Sequence, residues 1–358
     1  MNASHVILYR YTIPFTEPIT VKRQRLVQRD GIIIALKTAE ESYVAYGEIA
    51  PLPGLHCETL ELAEAQLIEL LSKRGLTNHD SLPEGLYPSV RTGLEMAMIN
   101  LEFAISGALP SCFETVTALQ HVPVNALLFG DTALIMQRAE QYFALGYRTF
   151  KLKITASNTG NAIKSIHALH STFGNHIELR LDANQSLSLD EAVDFAKNIP
   201  PGSVAYIEEP LQHAECIGDF YAKTALLSAL DETLWQKPDL LFKIPVESLA
   251  ALILKPNRLG GIFVALQLAR YACEKNLLAV FSSAFESGIS LSFYTWLAAL
   301  TASHKPAACG LDTYRYLQHD LLETPFGTEN ALLDAHKLYQ DGMKVKQRSL
   351  QRKSLWIL

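Results

Sequence analysis

Cysteine is scarce in this chain and poorly placed for bonding. Five are spread over 358 residues (Cys57, Cys112, Cys216, Cys273 and Cys309), with no CxxC pair. That excludes a disulfide framework and a sulfur-ligated zinc site, and predicts free, buried thiols in a reducing compartment. Positive charge is also in deficit. Lys and Arg number 31 against 37 Asp and Glu, a formal net charge of −6, so a nucleic-acid partner is disfavoured. The locally basic KVKQRSLQRK near the C-terminus reads as a solvated face. No apolar run is long enough to span a bilayer. MNASHVILYRYTIPF lacks a basic stretch followed by an apolar core, so the expected location is the cytoplasm, with no membrane partner. Low-complexity tracts and long linkers are missing too. With 49% hydrophobic and 19% charged residues, the chain reads as an ordinary packed protein with room for two domains.

The first third alternates as strands do. VILYRYTIPF, GIIIALKT and SYVAYGEIAPLPG predict two or three antiparallel strands, with a basic loop over 17–29 and a Pro/Gly-rich loop after Gly47. LELAEAQLIELL (within 59–73) and VRTGLEMAMINLEFAIS (within 89–106) have helical spacing. Together they make an α+β unit over residues 1–120.

At Val122 the pattern becomes strand then helix, and it repeats to residue 313. VPVNALLFG, TFKLKI, ELRLDAN, VAYIEEP, LLSALDET, LILKPN, LLAVFSSAFE and AACGLDT are eight candidate strands. Lys153, Asp182, Glu208, Asp231 and Lys255 recur at intervals of 23 to 29 residues, about the length of a βα unit. The expected fold class is therefore α/β, a (β/α)-barrel over residues 121–313 with the first unit as a second domain. Residues 314–358 continue past the barrel and are expected to pack back on that domain. A doubly wound sheet would gather its ligand site at one switch point and would not charge nearly every strand end.

An apolar strand ending in a lone charge is costly unless the charges meet around something. In a barrel, strand C-termini line one mouth. Asp182, one of Glu208 and Glu209, and one of Asp231 and Glu232 would converge there; alternation along the strand does not choose within either doublet. Three carboxylates repel unless a cation sits between them, and hard oxygen donors suit Mg²⁺, or Mn²⁺. Lys151 and Lys153 point the same way and should depress each other's pKa, bringing a lysine toward the range of a general base. Lys255 would face them across the mouth. Lysines around a metal suit removal of a proton next to a metal-bound carboxylate. Single aspartates in such places are usually helix caps; capping does not explain three consecutive strand ends flanked by lysines.

KLK, RLDAN, IEEP, ALDET and LKPNRLGGI resemble the muconate-lactonizing branch of the enolase superfamily, and the similarity covers almost the whole chain. The resemblance implies a modified TIM barrel of the enolase type with an α+β capping domain. It assigns Asp182, Glu208 and Asp231 as metal ligands, the first member of each doublet. It assigns Lys153 as the base, and as the acid that helps hydroxide leave, with Lys151 beside it to tune it and contact the substrate carboxylate. Lys255 becomes the electrostatic stabiliser on the opposite face, Asn184 a support of the site, and Arg180 a structural residue. GEIAPLPG (Gly47 to Gly54) and the region of Arg23 and Arg25 would close over the mouth.

FSSAFESGISLSFYTWLAAL followed by GLDT is most similar to the o-succinylbenzoate synthase subgroup, with Ser282 near the substrate's succinyl group and Ala284 where a second hydroxyl is common. The implied reaction is a Mg²⁺-dependent lyase step, syn-dehydration of a succinyl-hydroxycyclohexadiene carboxylate to o-succinylbenzoate in menaquinone or phylloquinone biosynthesis. Alternatives on the same scaffold are an N-acylamino acid racemase, a dipeptide epimerase or a muconate cycloisomerase. A single Asp312 in GLDTY, rather than Asp-x-Asp, argues mildly against dipeptides. A non-catalytic barrel would not need all three carboxylates and all three lysines. The expected partner is a small-molecule carboxylate; monomer and homo-oligomer are equally compatible with the sequence.

Overall fold

The computed structural model describes residues 3–22, 24–40, 42–74, 76, 82–108, 113, 118–302 and 306–357. The N-terminal unit is built on a long hairpin, β1 (Ala3–Val21) and β2 (Gln24–Thr38), joined to β3 (Val44–Ile49). Residues 17–22 and 24–29, within a stretch expected as a loop, form the arm of this hairpin, with Thr20 opposite Arg25. The ladder slips between Pro14 and Ile19, where proline has no N–H to donate. Both faces of the sheet are covered, which is why GIIIALKT is apolar without alternation. Val6, Leu8, Ile32, Ile34 and Leu36 pack on Leu67, Leu94 and Met98 of α1 (Leu60–Arg74) and α2 (Pro88–Ser106). Ile7, Tyr9, Ile33 and Ala35 join the core that runs into the barrel. Gly47 and Gly93 let β3 and α2 touch backbone to backbone: a Cβ on Gly47 would lie 1.9 Å from the Gly93 carbonyl oxygen.

VPVNALLFG divides at Pro123. Its first part is β4 (His121–Pro123); the second, β5 (Asn125–Leu128), enters the barrel. From there seven parallel strands neighbour one another in chain order: β5, β6 (Thr149–Lys153), β7 (Glu178–Asp182), β8 (Tyr206–Glu208), β9 (Ser228–Leu230), β10 (Leu249–Leu254) and β11 (Leu278–Phe281). The helices α3 (Thr132–Ala144), α4 (Thr159–Phe173), α5 (Leu189–Lys197), α6 (Ile217–Thr224), α7 (Glu232–Gln236), α8 (Pro256–Leu259), α9 (Ile262–Glu274) and α10 (Gly288–Thr301) alternate with them. Their starts follow from local chemistry. Asp131 Oδ1 accepts from Leu134 N (2.9 Å), and Ser188 with Glu191 forms a capping box.

The eighth strand, expected over 307–313, is reduced to two parallel bridges, Val124 with Cys309 and Ser282 with Gly310. They still close the ring. Gly310 packs tightly there: a Cβ would stand 2.5 Å from Ser282 Oγ, so the serine hydroxyl would have to turn away. The seventh strand ends at Phe281 rather than Glu286.

After the barrel, β12 (Leu332–Asp334) pairs antiparallel with β4, and α11 (Ala335–Gly342) packs on α10, with Trp296 and Tyr339 stacked 4.3 Å apart. The last strand, β13 (Gln351–Ile357), pairs antiparallel with β1 and completes the N-terminal sheet, His5 opposite Ile357. The expectation of buried thiols holds for Cys309 alone: Cys57 and Cys273 are exposed, Cys216 is partly so, and Cys112 lies outside the described residues. Among the described residues no helix is long and apolar enough to cross a membrane.

Candidate active site

The strand register brings the charged ends to one level. Lys153 stands opposite Asp182, Asp182 opposite Glu208, and Glu208 opposite Ala229, two residues before Asp231. Asp182, Glu208 and Asp231 are all buried. Lys151 reaches up from within the barrel. Its Nζ donates to Glu208 Oε1 (2.8 Å) and lies 3.0 Å from Asp182 Oδ2. Lys255 Nζ pairs with Asp231 Oδ2. Among the described residues no three acidic, histidine or cysteine side chains surround one point as a metal shell would; the two ammonium groups hold the carboxylates instead.

The charges set the protonation pattern. Burial alone would raise Asp182, but Lys151, Lys153 and Lys255 hold it down, at about 2. Glu208 is pushed well up by burial and by the negative charge of Asp182. The expectation that neighbouring ammonium groups would depress Lys151 is overturned. Burial does oppose its charge, but Asp182, Glu208 and Asp231 outweigh that, and its pKa is raised. Lys255 is likewise raised, since Asp231 and Glu208 outweigh its burial.

Lys153 is placed differently. It is exposed, and its Nζ donates to Asn184 Oδ1 (3.2 Å). The Asn184 amide nitrogen donates to Glu232 Oε1 (3.0 Å). A carboxylate accepting from the nitrogen obliges the amide to offer its oxygen to Lys153. The sequence reading weighed Glu232 only against Asp231 as a ligand and gave it no part of its own. Burial and Asp231 push it up to about 7, and its Oε2 is buried without a partner. Glu209 turns away from the lysines. Its oxygens accept from Asp231 N (2.8 Å), Thr233 N (2.7 Å) and Thr233 Oγ1 (2.8 Å). These bonds hold Glu209 at φ +43°, a left-handed conformation that a side-chain residue adopts only when its surroundings fix it.

Ser282 is buried between the seventh and eighth strands, its Oγ donating to the Gly310 carbonyl (3.4 Å). Arg180 donates to the Ala308 carbonyl (2.7 Å) and to Glu178 (2.7 Å). Asp312 is held by Arg315 (2.8 Å). Gly54, at φ +83°, abuts the hairpin tip, where a Cβ would lie 2.9 Å from the Val21 carbonyl oxygen. Arg25 is exposed on β2; Arg23 lies outside the described residues.

The donor set fits a divalent cation. It comprises hard oxygens on three adjacent strand ends, and Asp231 Oδ1 is buried with no hydrogen-bond partner. An unpaired buried carboxylate oxygen costs free energy that a bound cation recovers.

Known proteins share this chain's sequence pattern and fold. The family of enolase C-terminal domain-like proteins matches residues 135–339, and the MenC N-terminal domain matches residues 3–101. The o-succinylbenzoate synthase of Pectobacterium atrosepticum is 29% identical, over 93% of this chain and 97% of its own. That of Yersinia enterocolitica is 31% identical, over 87% of this chain and 90% of its own. Among solved structures, an enolase-superfamily member from Roseovarius nubinhibens, complexed with magnesium, superposes with a TM-score of 0.83 at 18% identity, covering 99% of each chain. The chain belongs to the enolase superfamily, alongside its o-succinylbenzoate synthase relatives.

Proposed function

We propose that this protein is an o-succinylbenzoate synthase. It would dehydrate 2-succinyl-6-hydroxy-2,4-cyclohexadiene-1-carboxylate to o-succinylbenzoate, in a pathway to menaquinone or phylloquinone. The observation that carries the reading is the pair of lysines held in two different settings on β6: Lys151 half-buried and ion-paired with Asp182 and Glu208, Lys153 exposed and donating to the uncharged amide oxygen of Asn184. Lys151 is committed to its ion pairs with Asp182 and Glu208, and the proton transfer is assigned to Lys153.

Asp182, Glu208 and Asp231 would hold Mg²⁺. When bound, the cation supplies a positive centre that fixes the substrate carboxylate and steadies charge developing beside it. The chain's own groups do the rest. Lys153 Nζ takes the proton from the carbon next to the carboxylate. Asn184, itself oriented by Glu232, keeps that nitrogen aimed into the mouth. The ring hydroxyl leaves as water with the proton returned by Lys153, from the same face, and aromatisation drives the step. Lys255, paired to Asp231, acts as a fixed positive charge on the other face. Ser282 would face the succinyl end.

The test is turnover of the purified cyclohexadiene substrate followed by absorbance, with Mg²⁺, with excess chelator, and after Mg²⁺ is restored. Activity lost to the chelator and regained with Mg²⁺ supports the reading. Absent turnover together with rapid solvent-deuterium exchange into both enantiomers of an N-acylamino acid would transfer the assignment to a racemase.

A further inference from the structure

The loop between β3 and α1 is tied to the barrel at two strand ends. Arg29, buried at the base of the hairpin arm, donates to the carbonyl oxygens of Ala50 and Pro51 (2.9 Å to the latter) and, through Nε, to that of Phe285 (3.1 Å), beyond β11. His56 makes the second tie. Its Nδ1 accepts from Leu52 N (2.9 Å), and its Nε2 lies 3.0 Å from the Asn257 carbonyl oxygen, beyond β10. Leu52 N can only donate and a carbonyl oxygen can only accept. The ring must therefore be neutral and protonated at Nε2. Burial supports this by pushing its pKa down to about 3, against the opposing pull of Glu58 and with the help of Arg258 and Arg29.

The tie lands on the turn that carries Lys255. Arg258 N and Leu259 N both donate to the Lys255 carbonyl (2.8 and 3.0 Å), and Thr92 Oγ1 donates to the Pro256 carbonyl (2.9 Å). The Asn257 side chain continues to Glu286 at the next strand end, whose other oxygen accepts from Ala284 N. Loop, sixth-strand turn and seventh-strand turn thus form one closed polar frame. His56 is the member that joins the loop to the Lys255 turn.

We infer that His56 is a positioning residue of the active site: it fixes the loop Ala50–Glu58 against the turn Lys255–Leu259, and so sets how tightly substrate is held beneath that loop without touching the substrate. The kinetic part of this rests on the dehydration proposed above; the conformational part does not.

Two near-isosteres separate its bonds in the Mg²⁺-loaded protein. In His56→Asn the side-chain oxygen can still accept from Leu52 N, but nothing reaches Asn257. His56→Gln keeps a donor at the reach of Nε2. The Asn and Ala variants should raise KM about five- to tenfold, the effect of one lost hydrogen bond, with kcat within about threefold of the parent. Both should speed hydrogen–deuterium exchange of the 50–58 amides, while Gln stays near the parent in KM and exchange. An Asn variant with parental KM and exchange, or a Gln variant no better than Ala, overturns the inference. Nitrogen-15 NMR of the histidine ring at pH 5 should show the neutral Nε2-protonated tautomer; an imidazolium or an Nδ1–H ring would also overturn it. Should the parent enzyme fail to turn over the cyclohexadiene, the functional reading falls, and the exchange and NMR results still decide the case for His56.

Discussion

Two groups of buried carboxylates among the described residues are answered in different ways. At the barrel mouth, Asp182, Glu208 and Asp231 face lysine ammonium groups. In the seam between the N-terminal unit and the barrel they face backbone N–H groups. Glu48, on β3, accepts from Ser287 N (3.0 Å), Ser287 Oγ (2.8 Å), Ser290 N (3.1 Å) and the Tyr11 hydroxyl, and so closes the first turn of α10. Glu95, on α2, accepts from Ile262 N (2.6 Å) and Phe263 N (3.3 Å) at the start of α9. Helix N-termini present unpaired donors and the positive end of a dipole, so an acid there is satisfied for good. At the mouth the compensation is incomplete. Asp231 Oδ1 and Glu232 Oε2 have no partner. A carboxylate saturated by backbone holds the fold; one countered by movable side chains remains available to a ligand.

Removing Lys153 should separate the two regions most sharply. Lys153→Ala should lower kcat by about 10³-fold, the usual worth of a general base, while the melting temperature stays put because the side chain is exposed. Near-parental turnover would sink its role. Glu48→Ala should do the reverse, removing about 3 kcal/mol or more in urea unfolding by leaving several buried donors unpaired. A loss under 1 kcal/mol would mean that the seam is not held as described. Glu208→Gln is expected to weaken Mg²⁺ binding at least about tenfold by calorimetry. Unaltered Mg²⁺ affinity would remove Glu208 from the ligand set.

The smallest effect is one of pH. His56 takes up a proton near pH 6.5 when unfolded, but only near 3 when folded. Acid therefore favours the unfolded chain, and this contribution to stability is full above pH 6.5 and lost as pH falls toward 3. His56→Gln should flatten that limb of a stability–pH curve; an unchanged slope would assign it to other groups.

The barrel could be read from the chain because each βα unit is local: a short apolar run, a charge, a helix, repeated. Other features depend on partners far away in sequence. Glu208 and Glu209 are neighbours in one motif, and only the fold shows Glu209 turned to Asp231 N and Thr233 N. Glu48 lies in GEIAPLPG, but its four donors lie near residue 290 or on β1. The segment 17–29 looked like a loop since its charges and Pro18 resemble loop composition, while the pairing of 19–21 with 24–26 comes from β1 and β2 together. The eighth strand makes only two single bridges, Val124 with Cys309 and Ser282 with Gly310, to partners about 185 and 30 residues away in sequence. His56 gave no signal at all: a lone histidine in a loop is ordinary until Leu52 N and the Asn257 carbonyl are seen on either side of it.

The pairing of β13 with β1 also bears on how the chain is made. His5 and Ile357 meet across one ladder, so the edge of the first sheet waits for a segment synthesised about 350 residues later. β3 and α2 carry Glu48 and Glu95 ready for helices synthesised some 160 to 240 residues later. Contacts of such separation are slow to close and hold every part to the same transition. This molecule should therefore melt as one unit, and a nick anywhere in the seam should loosen the mouth as well.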